Sequence, residues 1–260
     1  MPTASADRPL DPAALSDAAR CALTDTLYRV QQQVFDGTDR DTFRKYVVDS
    51  DADRTRIQLY RDEAGDCVGY AAIHLFSVAV EGRKTSIMRS EVGILPTHRG
   101  QSLAWKFLAW EVARVVLDPR TTGFLVACPV HPASYYTMAK TNPYLHPRPG
   151  QPTAATSSIL SQLDAALGLP RPDGGGEHVR SVGWVTRQSD AERSLWERHS
   201  SELVQFYLSE NPGYERGEGL RIACPLSAAS LAVGLGTMLG RLLRRQRAQA
   251  RRTMTPASER

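Results

Sequence analysis

The residues best suited to chemistry lie together at positions 85–104, T-S-I-M-R-S-E-V-G-I-L-P-T-H-R-G-Q-S-L-A. A strand pattern ends at Pro96, and Arg99-Gly100 then opens a helical pattern. A turn feeding a helix N-terminus presents backbone N–H groups that lack intrahelical partners, and that helix end carries roughly half a positive charge. The combination is an anion site whose usual occupant is a diphosphate. Gly100 lets the backbone approach such a ligand closely. No Gly-Lys-Ser/Thr follows, so this is not a P-loop. The glycine spacing is wrong for a dinucleotide fingerprint, and no acidic residue stands about twenty positions on. Upstream, strand alternation places Arg89, Glu91 and Gly93 on one face. His98 reads as an exposed loop residue and His74 as a sheet residue with a partner.

The elements that must position these residues follow from periodicity. Helical spacing runs from Ala13 to Val34 and stops at Gly37, and Asp39 caps a short helix over 41–48. Strands are expected at 55–60, 67–80 and 85–95, a helix at 101–117, a strand at 122–128 and a helix at 132–140. Residues 141–153 carry four prolines, a helix is expected at 155–168, and LPRPDGGG breaks it. A strand at 178–186, an amphipathic helix at 190–209 and a last strand at 219–224 complete the order. Helices first, then a strand meander, then strand–helix–strand describes an α+β fold on a mixed, mostly antiparallel central sheet flanked by helices. Residues 1–12 are expected to be loose, 13–225 to form one domain with an insertion at 141–177, and 226–260 to form an apolar helix and an Arg-rich tail.

Composition sets the outer limits. The chain has 260 residues, 42% hydrophobic, 23% charged and 7% aromatic, which excludes a disordered protein, a collagen-like fibre and a disulfide scaffold. The formal net charge is +4, but residues 241–260 hold seven Arg and one Glu, leaving −2 for the rest. With no basic, aromatic-rich surface elsewhere, nucleic acid is not expected as a partner. The four cysteines have neither metal-ligand nor redox spacing, so no metal is expected. No basic region followed by an apolar run opens the chain, which points to a cytoplasmic protein.

The segment Val92-Gly93-Ile94-Leu95-Pro96-Thr97-His98-Arg99-Gly100-Gln101-Ser102-Leu103-Ala104 resembles the pyrophosphate-binding motif of the GNAT superfamily of N-acyltransferases. That motif reads hydrophobic–x–Pro–x–x–Arg–Gly–x–Gly–x–Gly/Ala, and Ser102 stands here where glycine is usual. The resemblance extends over residues 15–140, including the early helix LYRVQQQVF, and over 178–225 as element order alone. It implies an acyl-coenzyme A co-substrate, acetyl-CoA or longer. The backbone of Gly100, Gln101, Ser102, Leu103 and Ala104 would hold the diphosphate, with Arg99 adding a charge-assisted contact. Ile94 and Leu95 would pair with the pantetheine arm, and Gly93 would relieve a bulge beside them.

The implied reaction is attack of a small-molecule amine on the thioester. Freeing a lysine-like amine, pKa about 10.4, at pH 7 costs about 4.6 kcal/mol, so a general base helps, directly or through water. Glu91 is the candidate by position; the alternative is a structural ion pair with Arg89. The leaving thiolate needs a proton, which relatives often take from a Tyr on the helix after the fifth strand. Here that position is Met138, and Tyr136, ahead of Tyr135, would substitute from the neighbouring turn. Tyr144, His146, Trp184 and Tyr214 come from segments that shape the acceptor pocket in this fold.

Two further readings stay open. One is a synthase of N-acyl amino acids or acyl lactones that takes its acyl group from an acyl carrier protein. The other is a non-catalytic thioester-binding or membrane-associated module. Residues 222–240 carry no charge, and Leu231, Leu235, Met238, Leu239 and Leu242 follow helical spacing before the Arg cluster. This run is too short to span a bilayer once its first residues form a strand. It would lie on anionic lipid through 226–252, dock on the domain or on a second copy in a homodimer, or fray.

Overall fold

The computed structural model describes residues 3–80, 82–101, 103–118, 122–151, 160–162, 164, 165, 167–237 and 240. Its centre is a six-stranded sheet in the order β1-β3-β4-β5-β6-β10, formed by Ala4–Ala6, Arg54–Asp62, Cys67–Val80, Arg83–Ile94, Thr122–Ala127 and Ile222–Leu226. Every neighbouring pair is antiparallel except β5/β6. The fold is thus the expected α+β class with a mixed, mostly antiparallel sheet.

Alternation along β3, β4 and β5 sends apolar side chains to both faces, and each face is covered by a helix with a matching stripe. Helix α1, Asp17–Val34, starts at Ser16, whose hydroxyl accepts from Ala19 N–H at 3.3 Å. Its Leu23, Leu27, Val30 and Val34 pack on Ile57, Leu59, Tyr70 and Ala72, together with Phe43 and Val47 that follow it. On the other face, α3 (Trp105–Val116) places Phe107 and Val115 against Tyr60, Ala71, Ile73 and Met88. Each such fully buried side chain contributes roughly 1.5–3 kcal/mol. Between these helices in sequence, α2 (Arg40–Phe43) is capped by Asp39 and runs into a π turn over Arg44–Val48.

After β6, helix α4 (Pro132–Thr141) packs its Tyr135 and Ala139 on Tyr207, Leu220 and Ile222. Two short ribbons bind the later segments down. Strand β2 (Phe35–Asp36) pairs with β8 (Val185–Thr186), and β7 (Val179–Ser181) pairs with β9 (Glu218–Leu220).

Several sequence expectations need correction. The N-terminal residues are not loose: Ala4–Ala6 pair with Tyr60–Asp62, and Leu10 bridges to Ile57. Residues 178–186 form two strands in different sheets, because Gly183 at φ +79° turns the chain between them. The helix expected over 190–209 is two, α5 (Asp190–Glu197) and α6 (Glu202–Glu210). The break falls at His199-Ser200-Ser201, where Ser201 supplies the favoured cap residue type. The last strand is likewise divided, with Arg221 between β9 and β10. Of the helix expected over 155–168, residues 160–162, 164, 165 and 167 are helical, Gly168 is a turn residue, and the others lie outside the described residues. In the tail, residues 228–237 are helical; Met238, Leu239, Leu242 and the Arg cluster lie outside the described residues. No helix among the described residues is long and apolar enough to cross a membrane.

Candidate functional site

The parallel β5/β6 pair is bonded from Thr85↔Thr122 to Arg89↔Val126 and no further. Strand β5 nevertheless runs on to Ile94, held on its other edge by β4, where Ile94 faces Gly69. The sheet therefore splits beyond Arg89. Leu95 N–H bonds Val68 O on the β4 side at 3.0 Å. Alternation then turns the main-chain groups of Val92 and Ile94 toward the split. Ile94 O accepts there from Arg99 Nε at 3.3 Å. Pro96–His98 form one 3₁₀ turn, Arg99 is extended and exposed, and Gly100 sits at φ +79° with nothing within 4 Å of where a Cβ would stand. Only glycine takes that backbone conformation without strain.

Helix α3 begins at Trp105, four residues later than periodicity implies, and its N-cap residue, Ala104, has no side chain able to cap it. Residues 103 and 104 form the turn before it. Leu103 and Ala104 point their side chains into the core beneath α3, so only their main-chain groups remain for a ligand. Gln101 is partly buried beside them, and Ser102 lies outside the described residues. His98 is buried, not exposed, with Nδ1 hydrogen-bonded to Thr97 Oγ1 at 2.9 Å. Gly93 relieves no bulge, since the β4–β5 register is unbroken there. It is needed because a Cβ would stand 2.7 Å from Cε1 of the buried Tyr70 ring.

Glu91 shares its face with Arg89, as alternation implies, and its carboxylate is held at both oxygens. Arg89 Nε lies 2.8 Å from Oε1 and His74 Nε2 lies 2.8 Å from Oε2. Beyond them, His74 Nδ1 meets Thr55 Oγ1 at 3.0 Å, and Arg89 donates to Tyr46 O at 2.7 Å and stacks 3.9 Å over the Tyr46 ring. Burial raises the Glu91 pKa, but the charges of His74 and Arg89 outweigh it and hold the carboxyl below its ordinary range. Glu91 is thus an ionised, positioned carboxylate at the base of the split.

The two tyrosines occupy different settings. Tyr135 is fully buried, donates to Pro147 O at 3.0 Å and packs on the Phe206 and Tyr207 rings; burial pushes its pKa upward. Tyr136 is half-buried between Trp196 and His199 and accepts from Lys140 Nζ at 2.7 Å. Of the acceptor-pocket candidates, Tyr144 is exposed, Trp184 lies in the aromatic core with Phe35, Phe43 and Tyr46, and His146 packs on His178. Tyr214 packs against His131 and Tyr207.

Periodicity missed two groups. His131, four residues past β6, caps α4 by accepting from Ala133 N–H at 3.1 Å, and Nε2 then donates to Gln188 Oε1 at 2.9 Å. Burial holds its pKa below the usual imidazole value. The other is a buried basic cluster: Arg180 and Arg221 share Asp164 Oδ2, and Arg221 also reaches His178 Nδ1 at 2.7 Å. Burial, then Arg221, brings the His178 pKa down to about 4.

No family model matches the chain, and no curated protein does. Solved structures with a similar arrangement include a probable N-acyltransferase from Enterococcus faecalis V583, at 12% identity and TM-score 0.35. That match covers 52% of this chain and 32% of that one, so it spans about a third of the Enterococcus protein. Arabidopsis thaliana NAA60 in complex with acetyl-CoA matches at 11% identity and TM-score 0.34, over 53% of this chain and 80% of that one. The ribosomal-protein-S18-alanine N-acetyltransferase from Escherichia coli matches at 11% identity and TM-score 0.35, over 86% and 95%. The strand order, the single parallel pair and its split, and the Pro96-to-Trp105 turn into α3 form the mixed, mostly antiparallel α+β architecture expected from the sequence.

Proposed function

We propose that this chain is an N-acyltransferase that moves an acyl group from acyl-coenzyme A to the amine of a small-molecule acceptor. The observation that carries the reading is the split between β5 and β6, which turns main-chain groups of Val92 and the Ile94 N–H toward the N-terminus of α3. The residues fit such a co-substrate: Gly100 leaves space for a diphosphate, Arg99 is a cation at its edge, and the strand edge offers pairing groups for an amide-bearing arm.

In the reaction the acceptor nitrogen attacks the thioester carbon, the N–C bond forms and the C–S bond breaks. An ammonium acceptor loses two protons overall: one ends on the leaving thiolate and one goes to solvent. Glu91, held ionised, is too weak a base to keep the ammonium proton, so its part is to orient the amine or a bridging water that passes the proton on to solvent. Tyr136 is the nearer fit to a thiolate proton donor, since the Tyr135 hydroxyl is committed to Pro147 O.

Calorimetric titration of acetyl-CoA and longer acyl-CoAs, with thiol release followed in an amine pool, tests the proposal. Binding, and turnover with at least one amine, is expected. No binding up to about 1 mM, the upper end of ordinary KM values, overturns it. Turnover with an acyl carrier protein and none with free acyl-CoA would move the donor to the carrier.

A further inference from the structure

A cleft of about 360 Å³ lies among the end of β2, β8 and the residues after it, α5 and the turn before β9. Six side chains on it matter: Asp36 at the end of β2, Arg187 and Gln188 after β8, Arg193 on α5, and Tyr214 with Glu215 before β9. His131 links this cleft to the split. It sits four residues beyond β6, bonds Gln188, and packs edge-on to Tyr214 at 6.2 Å.

The lining has a distinct charge pattern, two carboxylates and two guanidiniums in cross-pairs. Arg187 reaches Asp36 at 2.5 Å and Arg193 reaches Glu215 at 2.5 Å, and the four side chains are 40–54% exposed. Exposed pairs of this kind contribute little and can exchange partners with a ligand at small cost. A ligand with one charge would satisfy one member of a pair and strand the other. A ligand with one positive and one negative group re-pairs both.

Tyr214 supplies the observation that points to an occupant. It is 6% exposed and lines the cleft, and among the described residues its hydroxyl closes no hydrogen bond of good geometry. Gln188 and Glu215 are near enough to bias its titration, yet neither closes a bond of good geometry. A buried polar group without a partner is costly, and a cleft-lining hydroxyl is satisfied when a polar ligand arrives. Gln188 has its Oε1 on His131, so its amide N–H groups are the ones it can offer a ligand.

We propose that this cleft binds the acceptor as a zwitterion, an α-amino acid carrying one ammonium and one carboxylate. The ligand carboxylate pairs with a guanidinium of the cleft and accepts from Gln188 and the Tyr214 hydroxyl, and the ammonium pairs with the carboxylate that guanidinium releases. The inference rests on the acyltransferase reading, whose acceptor class it names, but its test needs no acyl donor.

The experiment is ligand-observed NMR and calorimetry on the full chain with the twenty common L-amino acids. The best binder is then compared with its methyl ester, which keeps only the positive charge, and its N-acetyl form, which keeps only the negative one. At least one free amino acid is expected to bind, and at least tenfold more tightly than either derivative. Tyr214→Phe is expected to weaken that binding about fivefold and Arg187→Gln at least as much, with unfolding midpoints near that of the parent chain. Arg187 is exposed, so its replacement keeps the test valid if the tyrosine variant misfolds. Binding by no amino acid, equal binding of either derivative, or a zwitterion preference that both folded variants leave intact overturns the proposal. Acyl-CoA binding measured on the same sample separates this failure from failure of the donor reading.

Discussion

Replacing Glu91 by glutamine removes one charge and little volume, so its effect reads the electrostatics of the split directly. The carboxylate is 6% exposed and lies 2.8 Å from both the Arg89 and the His74 nitrogens. The amide cannot neutralise Arg89, whose side chain is only 10% exposed, and one end of the amide presents N–H groups to a donor. Breaking a buried pair from one side costs about 3–5 kcal/mol. Urea unfolding at pH 7 should show that loss in Glu91→Gln. The acid limb gives a second reading. The Glu91 pKa is depressed in the folded chain, so its stabilisation is fully present above the unfolded value near 4.5 and is lost as pH falls through the lower folded value. The parent chain should therefore lose stability below about pH 4.5 more steeply than Glu91→Gln, with the two curves converging in acid. A Glu91→Gln variant within about 1 kcal/mol of the parent at pH 7, or parallel pH curves, would refute a charge-bearing role for the pair and with it the case for an ionised carboxylate at the split.

Gly100→Ala forces a Cβ onto a residue at φ +79° where no atom crowds it, so the cost is conformational, about 1–2 kcal/mol. If the loop relaxes to escape that strain, acyl-CoA titration should show weaker binding with little change elsewhere. Tyr136→Phe should lower turnover by roughly 100-fold or more with acyl-CoA affinity retained, the scale of a lost general acid; unchanged turnover would assign thiolate protonation to water. Asp164→Asn leaves Arg180 and Arg221 buried without a counter-charge and should cost about 3–5 kcal/mol in chemical denaturation. A loss below about 1 kcal/mol would mean that the cluster is solvated in solution.

The legible parts of this chain were those written locally. The stripe Leu23, Leu27, Val30 and Val34 announces α1, the hairpin turn near 81–84 announces β4 and β5, and Pro96 with Arg99-Gly100 marks the turn into α3. Alternation also put Glu91 and Arg89 on one face, but it could not bring in His74. That contact needs the register in which His74 faces Arg89 and Ala72 faces Glu91 across two strands. Asp164, Arg180, His178 and Arg221 come from segments spread over 58 positions, and no local period joins them. His131 and Tyr214 carry no pattern of their own; the ribbon β2/β8 and the contact through Gln188 bring them to one place. The breaks at His199–Ser201 and at Arg221 were hidden because amphipathic spacing continues across both.

The N-terminal strand has a practical side. Ala4–Ala6 pair along Tyr60–Asp62, Asp7 N–H bonds Leu59 O, and Leu10 and Ile57 exchange two main-chain bonds. Together these residues cover one margin of the sheet. Without them, β3 would present a row of bare N–H and C=O groups over nine residues, a template on which another chain can assemble. Residues 4–10, of plain composition, thus act as an aggregation guard. Expression designs that trim the chain to its first helix should yield a protein that associates edge to edge, whatever becomes of its chemistry.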